Sequence, residues 1–306
     1  MPIVSIPGFS EPFSSLTHLI SAGGFAAASF FLIRQARGNC LRVTGLAVYA
    51  FTVVYLFSMS GVYHIFEPGG MPRLVFQRLD HSAIWATIAG AFTPIHIILF
   101  RGFWRWGVLL LIWAITVTGL VLEVIYLKDI PEFVSLSFYL CLGWMGVLSG
   151  FKFLRCYREQ SFRFIALGGI SFSIGAVMEY LRVPTLLPGI VGPHEVFHIF
   201  VIAGVFFHWQ FMRIIAGFAI TDRLTFLVKV RPDSHIFVTA VTEAIKFEVQ
   251  SKDEIYSKIN YWVARKYPAY TRPNAIKLKY VDEEFIDPGH DIRIAVPVER
   301  FFGSLG

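Results

Sequence analysis

Seven apolar runs, each about long enough to cross a bilayer, alternate with short polar breaks along the first two thirds of the chain. They cover about 16–34, 42–66, 80–100, 103–127, 133–154, 162–181 and 195–217. The breaks (Arg34 to Leu41, Glu67 to Arg78, Arg101-Gly102, Lys128 to Glu132, Arg155 to Ser161 and Arg182 to Pro193) carry the charges, prolines and glycines that end such runs. This pattern predicts an all-α bundle of seven transmembrane helices. After about Asp222 the period changes. Leu224 to Arg231 alternates, and Ile236 to Val249, Ala275 to Val281 and Ile292 to Val298 also read as strands. Asp253 to Tyr267 reads as a helix with Ile255, Ile259, Trp262 and Val263 on one face. The predicted organisation is a transmembrane domain over 1–221 and a small soluble α+β domain over 222–306.

Composition agrees with the pattern. Hydrophobic residues make up 55% and charged residues 16% of the chain, against about a quarter charged in ordinary soluble domains. The net charge of +6 does not point to nucleic acid, because the basic residues up to Ile220 lie in short loops between apolar runs. Cys40, Cys141 and Cys156 are far apart and form no C-x-x-C pair, so neither a disulfide framework nor a cysteine metal site is expected. Met1 to Ser15 has no basic stretch leading into an apolar core, so the first helix is expected to remain as an anchor.

Loop charge orients the bundle. The face bearing the N-terminus has four basic residues, Arg73, Arg78, Lys128 and Arg182, whereas the opposite face has ten before the C-terminal domain. The positive-inside rule then predicts a multi-pass protein of the cell membrane with a cytoplasmic C-terminal domain. That domain is expected to bind a cytoplasmic partner or to mediate oligomerisation.

Ionisable groups within a bilayer are costly, so their positions are informative. Following the alternating helix directions, Ser60, His64, Asp80, His81, Glu123, Glu179, His194, His198 and His18 all fall near the N-terminal face. Residues four apart on a helix point within about 40° of each other, so His194 and His198 can address one point, and Ser60 and His64 form a second such pair. Three neutral imidazoles plus a water make a tetrahedral zinc site with one open position, as catalytic zinc requires. Asp80 would orient or deprotonate that water, and Ser60 would donate a hydrogen bond to an oxyanion.

Ser60-Gly-Val-Tyr-His64, Arg78-Leu-Asp80-His-Ser82, Ala89-Gly-Ala-Phe-Thr-Pro94 and His194-Glu-Val-Phe-His198 resemble the successive motifs of the hemolysin III and progestin/adiponectin receptor (PAQR) family. Leu16-Thr-His18 resembles the start of its bacterial members. The resemblance covers about 14–217 and implies seven helices, zinc on His64, His194 and His198, and Asp80 and Ser60 beside the metal-bound water. Related membrane hydrolases, among them the alkaline ceramidases, imply cleavage of a lipid amide or ester. Eukaryotic receptors of the family are understood to have cytoplasmic N-termini, the reverse of what loop charge predicts here. The expectation follows the charge.

Other readings stay open. A non-enzymatic, zinc-stabilised membrane receptor or sensor would use the same ligands. His194-Glu195-Val-Phe-His198 also fits H-E-x-x-H, in which Glu195 would be the base of an intramembrane protease. A hemolytic pore is disfavoured by the lack of a continuous polar stripe through the spans. Glu123 and Glu179 read as supports for the site or as partners of Arg182 or Lys128. His81, His96 and His208 read as structural, and His235 and His290 as surface residues of the C-terminal domain.

Overall fold

The computed structural model describes residues 3–100, 102–157, 162–217, 224–230, 236–240, 246–249, 251, 254–255, 257–259, 261 and 276–281. The chain forms two compact units, Met1–Ile220 and Thr221–Gly306.

Among the described residues the first unit holds eight helices: α1 Pro12–Gln35, α2 Cys40–Tyr63, α3 Met71–Leu99, α4 Phe103–Tyr126, α5 Glu132–Trp144, α6 Gly146–Tyr157, α7 Phe162–Leu181 and α8 Pro193–Ile215. Together they supply seven apolar spans, the fifth running Glu132–Phe151 across the α5–α6 break at Met145. With their exposed apolar side chains, such as Phe103, Leu110 and Phe138, these spans make the unit a multi-pass membrane bundle.

Local chemistry sets the helix ends. Pro12, Pro72 and Pro193 open α1, α3 and α8, where a missing N–H costs nothing. Asn39 caps α2 by accepting a hydrogen bond from the Arg42 amide at 3.0 Å. One boundary departs from expectation. Helix α3 starts at Met71, so Asp80 lies nine residues into the helix rather than at its end. The charges of Arg73 and Arg78 resemble a loop signal, but Gly70 and Pro72 provide a helix start ahead of them.

Helix α3 is the most buried span, followed by α2 and α8. It packs between α2 and α4, while α1 lies against α2 and α8, and α7 against α8. The three most enclosed helices are thus the ones that carry His64, Asp80, His194 and His198.

The described residues of the second unit form a four-stranded sheet ordered β3-β2-β1-β4, from β1 Leu224–Val230, β2 Ile236–Ala240, β3 Lys246–Val249 and β4 Ile276–Val281. The run from Ile236 to Val249 is an antiparallel pair, β2 and β3, rather than one strand. Strand β4 runs parallel to β1, which requires a long crossover. Helical residues between 254 and 261 lie within that crossover, with Ile255 and Ile259 buried. The expected strand at 292–298, together with Trp262, Val263, His235 and His290, lies outside the described residues.

Candidate metal centre

Helix α2 ends at His64, which is its C-cap, and α8 begins one residue before His194. The two helices run in opposite directions, so the end of one and the start of the other meet at the same face. His198 follows one turn down α8. Its ring centroid lies 4.9 Å from that of His64 and 4.5 Å from that of His194. One ligand atom from each of His64, His194 and His198 lies within 4.8 Å of the others, and the three could hold a metal ion.

The outer ring nitrogens fix the tautomers. His64 Nδ1 is hydrogen-bonded to Glu11 Oε2, and His194 Nδ1 lies 3.3 Å from Glu179 Oε1. An ionised carboxylate only accepts, so both Nδ1 atoms carry the proton, and in the neutral rings that bind a metal both Nε2 atoms present a lone pair. Those two Nε2 atoms face each other at 3.2 Å. Two lone pairs cannot bond to each other, so the contact requires a cation between them, either a proton, which makes it a hydrogen bond, or a metal ion. A tetrahedral ion with metal–nitrogen bonds of about 2.0–2.1 Å separates two of its ligands by roughly 3.3–3.4 Å, close to the spacing found. His198 is buried beside the Ser14 backbone, and its Nδ1 makes no hydrogen bond of good geometry among the described residues. The donor set therefore fits a metal that favours imidazole.

Each carboxylate is itself held by an arginine. Arg73 donates to Glu11 Oε1 at 2.6 Å and to the Phe66 carbonyl at 2.6 Å, with its guanidinium 4.5 Å from the Tyr63 ring centroid. Arg182 pairs with Glu179 and donates to Glu132 at 2.7 Å. Burial opposes the ionisation of Glu11, but hydrogen bonds and charge from His64 and Arg73 outweigh it and lower its pKa to about 2. Glu11 and Arg73 were not legible as site residues. Glu11 precedes the first apolar run and Arg73 sits in what reads as a loop, with no spacing to link them to His64.

Ser60 is buried one turn before His64, and its carbonyl accepts the His64 amide. Asp80 is half-buried, and its charge bears on both His64 and His194. It is not one of the three clustered ligands. Glu195 has a structural role at the start of α8. Its Oε2 accepts the Gly192 amide at 2.9 Å and its Oε1 the Ser14 hydroxyl at 2.8 Å, so it caps α8 and ties it to α1.

Of the other histidines, His208 packs edge-on against Phe172 in the bundle. His81 pairs with Glu123 at 3.2 Å, and Glu123 also accepts from Ser135 at 3.0 Å rather than from Arg182 or Lys128. His96 is satisfied by the Trp104 carbonyl and by Ser149. His18 is buried and stacks on His198 with centroids 3.8 Å apart. Neither of its ring nitrogens has a hydrogen-bond partner of good geometry among the described residues.

A family model described as haemolysin-III related matches residues 9–209. The chain is 28% identical over 193 residues to Hemolysin-3 of Bacillus cereus, covering 62% of this chain and 84% of that protein. It is 24% identical over 196 residues to a Hemolysin-3 homolog of Bacillus subtilis (strain 168), covering 62% of this chain and 87% of the relative. Both matches cover much of the relatives' length and leave more than a third of this chain unmatched. With the histidine cluster, six whole spans and most of the seventh inside the matched region, the chain belongs to the hemolysin III and progestin/adiponectin receptor family.

Proposed function

We propose that the protein is a zinc-dependent integral membrane hydrolase that cleaves a lipid amide or ester, with His64, His194 and His198 as the metal ligands. The observation that carries this reading is the pair of Nε2 atoms facing each other at 3.2 Å, each ring backed by a carboxylate. Among the described residues the cluster supplies three protein nitrogens and no fourth ligand, as in zinc sites that do chemistry. When bound, zinc supplies Lewis acidity, polarising a carbonyl and making water easier to deprotonate.

The chain's own groups do the rest. Asp80 accepts a proton from the attacking water as its oxygen bonds to the carbonyl carbon. The Ser60 hydroxyl donates to the carbonyl oxygen as charge builds on it. Asp80 then returns the proton to the leaving nitrogen or oxygen as the C–N or C–O bond breaks, giving a carboxylic acid and an amine or alcohol. Glu195 is the weaker candidate for the base, since its oxygens already accept from the Gly192 amide and the Ser14 hydroxyl.

Asp80→Asn is the deciding variant, because Asp80 stands near the histidines without belonging to the ligand cluster. It should keep its zinc and lose about 10²–10⁴-fold in turnover against a panel of ceramides and other N-acyl lipids. Cleavage at an unchanged rate by the variant would remove Asp80 from the mechanism. A parent protein that retains zinc yet cleaves no member of a broad panel would favour a non-enzymatic sensor.

A further inference from the structure

The stretch 183–193, which joins α7 to α8, carries no ionisable side chain. The other helix connections on the same face do, with Glu67 between α2 and α3 and Lys128 and Asp129 between α4 and α5. Leu187 pairs with Val191 and closes the stretch into a short hairpin. Val191 is buried and pins the hairpin to the bundle, whereas Val183, Leu186, Leu187 and Ile190 each leave more than half of their surface exposed. We propose that this hairpin is an interfacial anchor, and that its partner is the lipid leaflet on the N-terminal face, into which Leu186, Leu187 and Ile190 insert. The inference goes beyond the hydrolase reading and is independent of what the metal centre does.

Three observations point to lipid. First, the exposed apolar cluster continues a surface that already faces lipid. Val177, Tyr180 and Leu181 are exposed along the last turns of α7, and Val183 follows them directly. Tyrosine settles at the level of the headgroups, so the hairpin starts at that depth. Second, the hairpin satisfies its backbone from within the protein, as contact with lipid demands. The Leu186 and Leu187 amides donate to the Val191 carbonyl, and the Ile190 and Val191 amides donate to the Leu187 carbonyl. Val183 donates to the Met178 carbonyl and Gly192 to the Glu195 carboxylate, while Pro184, Pro188 and Pro193 have no N–H to satisfy. At the tip, the Gly189 carbonyl accepts the Val4 amide at 2.8 Å. Third, Thr185 is the one polar side chain between Val183 and Pro193. A docking site for a protein surrounds its apolar centre with a polar rim, and a leaflet needs none.

The hairpin joins the last turn of α7, which carries Glu179, to the first turn of α8, which carries His194. Interfacial segments sink about 5–10 Å into the boundary between headgroups and acyl chains. Anchoring the hairpin there holds His194 and its carboxylate support at the depth of the headgroups.

Nitroxide labels at Leu187→Cys and Ile190→Cys test the assignment. The full-length protein, with Cys40, Cys141 and Cys156 changed to Ser, is held in phosphatidylcholine nanodiscs. Collision rates are then measured with oxygen, which concentrates in lipid, and with a nickel chelate, which stays in water. Leu110→Cys on the exposed face of α4 is the lipid control, and the exposed Asp129→Cys is the water control. Both hairpin labels should favour oxygen as the Leu110 label does, and the Asp129 label should favour the chelate. Hairpin labels as open to the chelate as the one at Asp129 would overturn the proposal. Labels shielded from both reagents would also overturn it by placing the hairpin in a protein contact, and dipolar broadening that vanishes on dilution with unlabelled chain would identify a second copy. The unaltered chain gives an independent reading. A phospholipid carrying a diazirine near the glycerol end of its acyl chain should label 183–190 and leave 128–131 unmarked. Absence of label from the hairpin would overturn the proposal even where the cysteine variants fail to fold.

Discussion

Two histidines at the end of α2 and the start of α8 owe their orientation to carboxylates far away in sequence, and each carboxylate is held by an arginine. The lines His64–Glu11–Arg73 and His194–Glu179–Arg182 serve the same purpose from opposite sides. Each keeps the proton on Nδ1 and leaves Nε2 free to bind. Removing such a support typically costs about 10–100-fold in metal affinity. Glu11→Ala and Glu179→Ala should each weaken zinc binding by that order, as read by competition with a chelator of known affinity. Unchanged affinity in both would mean that the three imidazoles are positioned by helix packing alone. The ligands themselves could be read from the sequence, because i,i+4 spacing and shared membrane depth are periodic properties. Their supports could not, since Glu11 meets His64 through tertiary folding alone.

Helix lengths followed the hydropathy closely where a run ended in a real break, as at Phe162–Leu181, where expected and observed bounds coincide. They failed where charge sits on a helix that continues beyond its apolar stretch. Arg73 on α3 is such a case, because its side chain leaves the helix for Glu11 and the Phe66 carbonyl. Hydropathy also passes over the break at Met145, where apolar residues continue across a change of backbone. The close approach of α2 and α3 holds Asp80 and His64 in one frame, and it depends on Gly90. A Cβ at Gly90 would lie 2.0 Å from Thr52 Oγ1 and 2.9 Å from its Cβ, so the helices would have to part. Gly90→Leu should destabilise the bundle by about 1–3 kcal/mol or more, the usual cost of overpacking. A thermal melt of the detergent-solubilised protein should show a lower midpoint. An unchanged midpoint would show that the α2–α3 contact yields without cost.

At the scale of the molecule, the matched family region ends at residue 209, and the sheet-bearing unit from Thr221 lies beyond it. Loop charge predicts which side of the membrane that unit occupies, with ten basic residues on its face against four on the other. A reporter fused after Gly306 should behave as cytoplasmic, and a cysteine placed near the N-terminus should be labelled from outside by an impermeant reagent. External labelling of the C-terminal end would give the receptor-like orientation and overturn the charge argument.

The central claim is that three histidines from two antiparallel helices bind zinc, and the direct test is the metal content of the purified protein. Elemental analysis should find about one zinc per chain, as a single tetrahedral site requires. The His194→Ala/His198→Ala double variant, which keeps only one ligand of the chelate, should lose nearly all of it. Full zinc occupancy in the double variant, or a parent protein purified without chelators that carries no zinc and takes none up, would contradict the account.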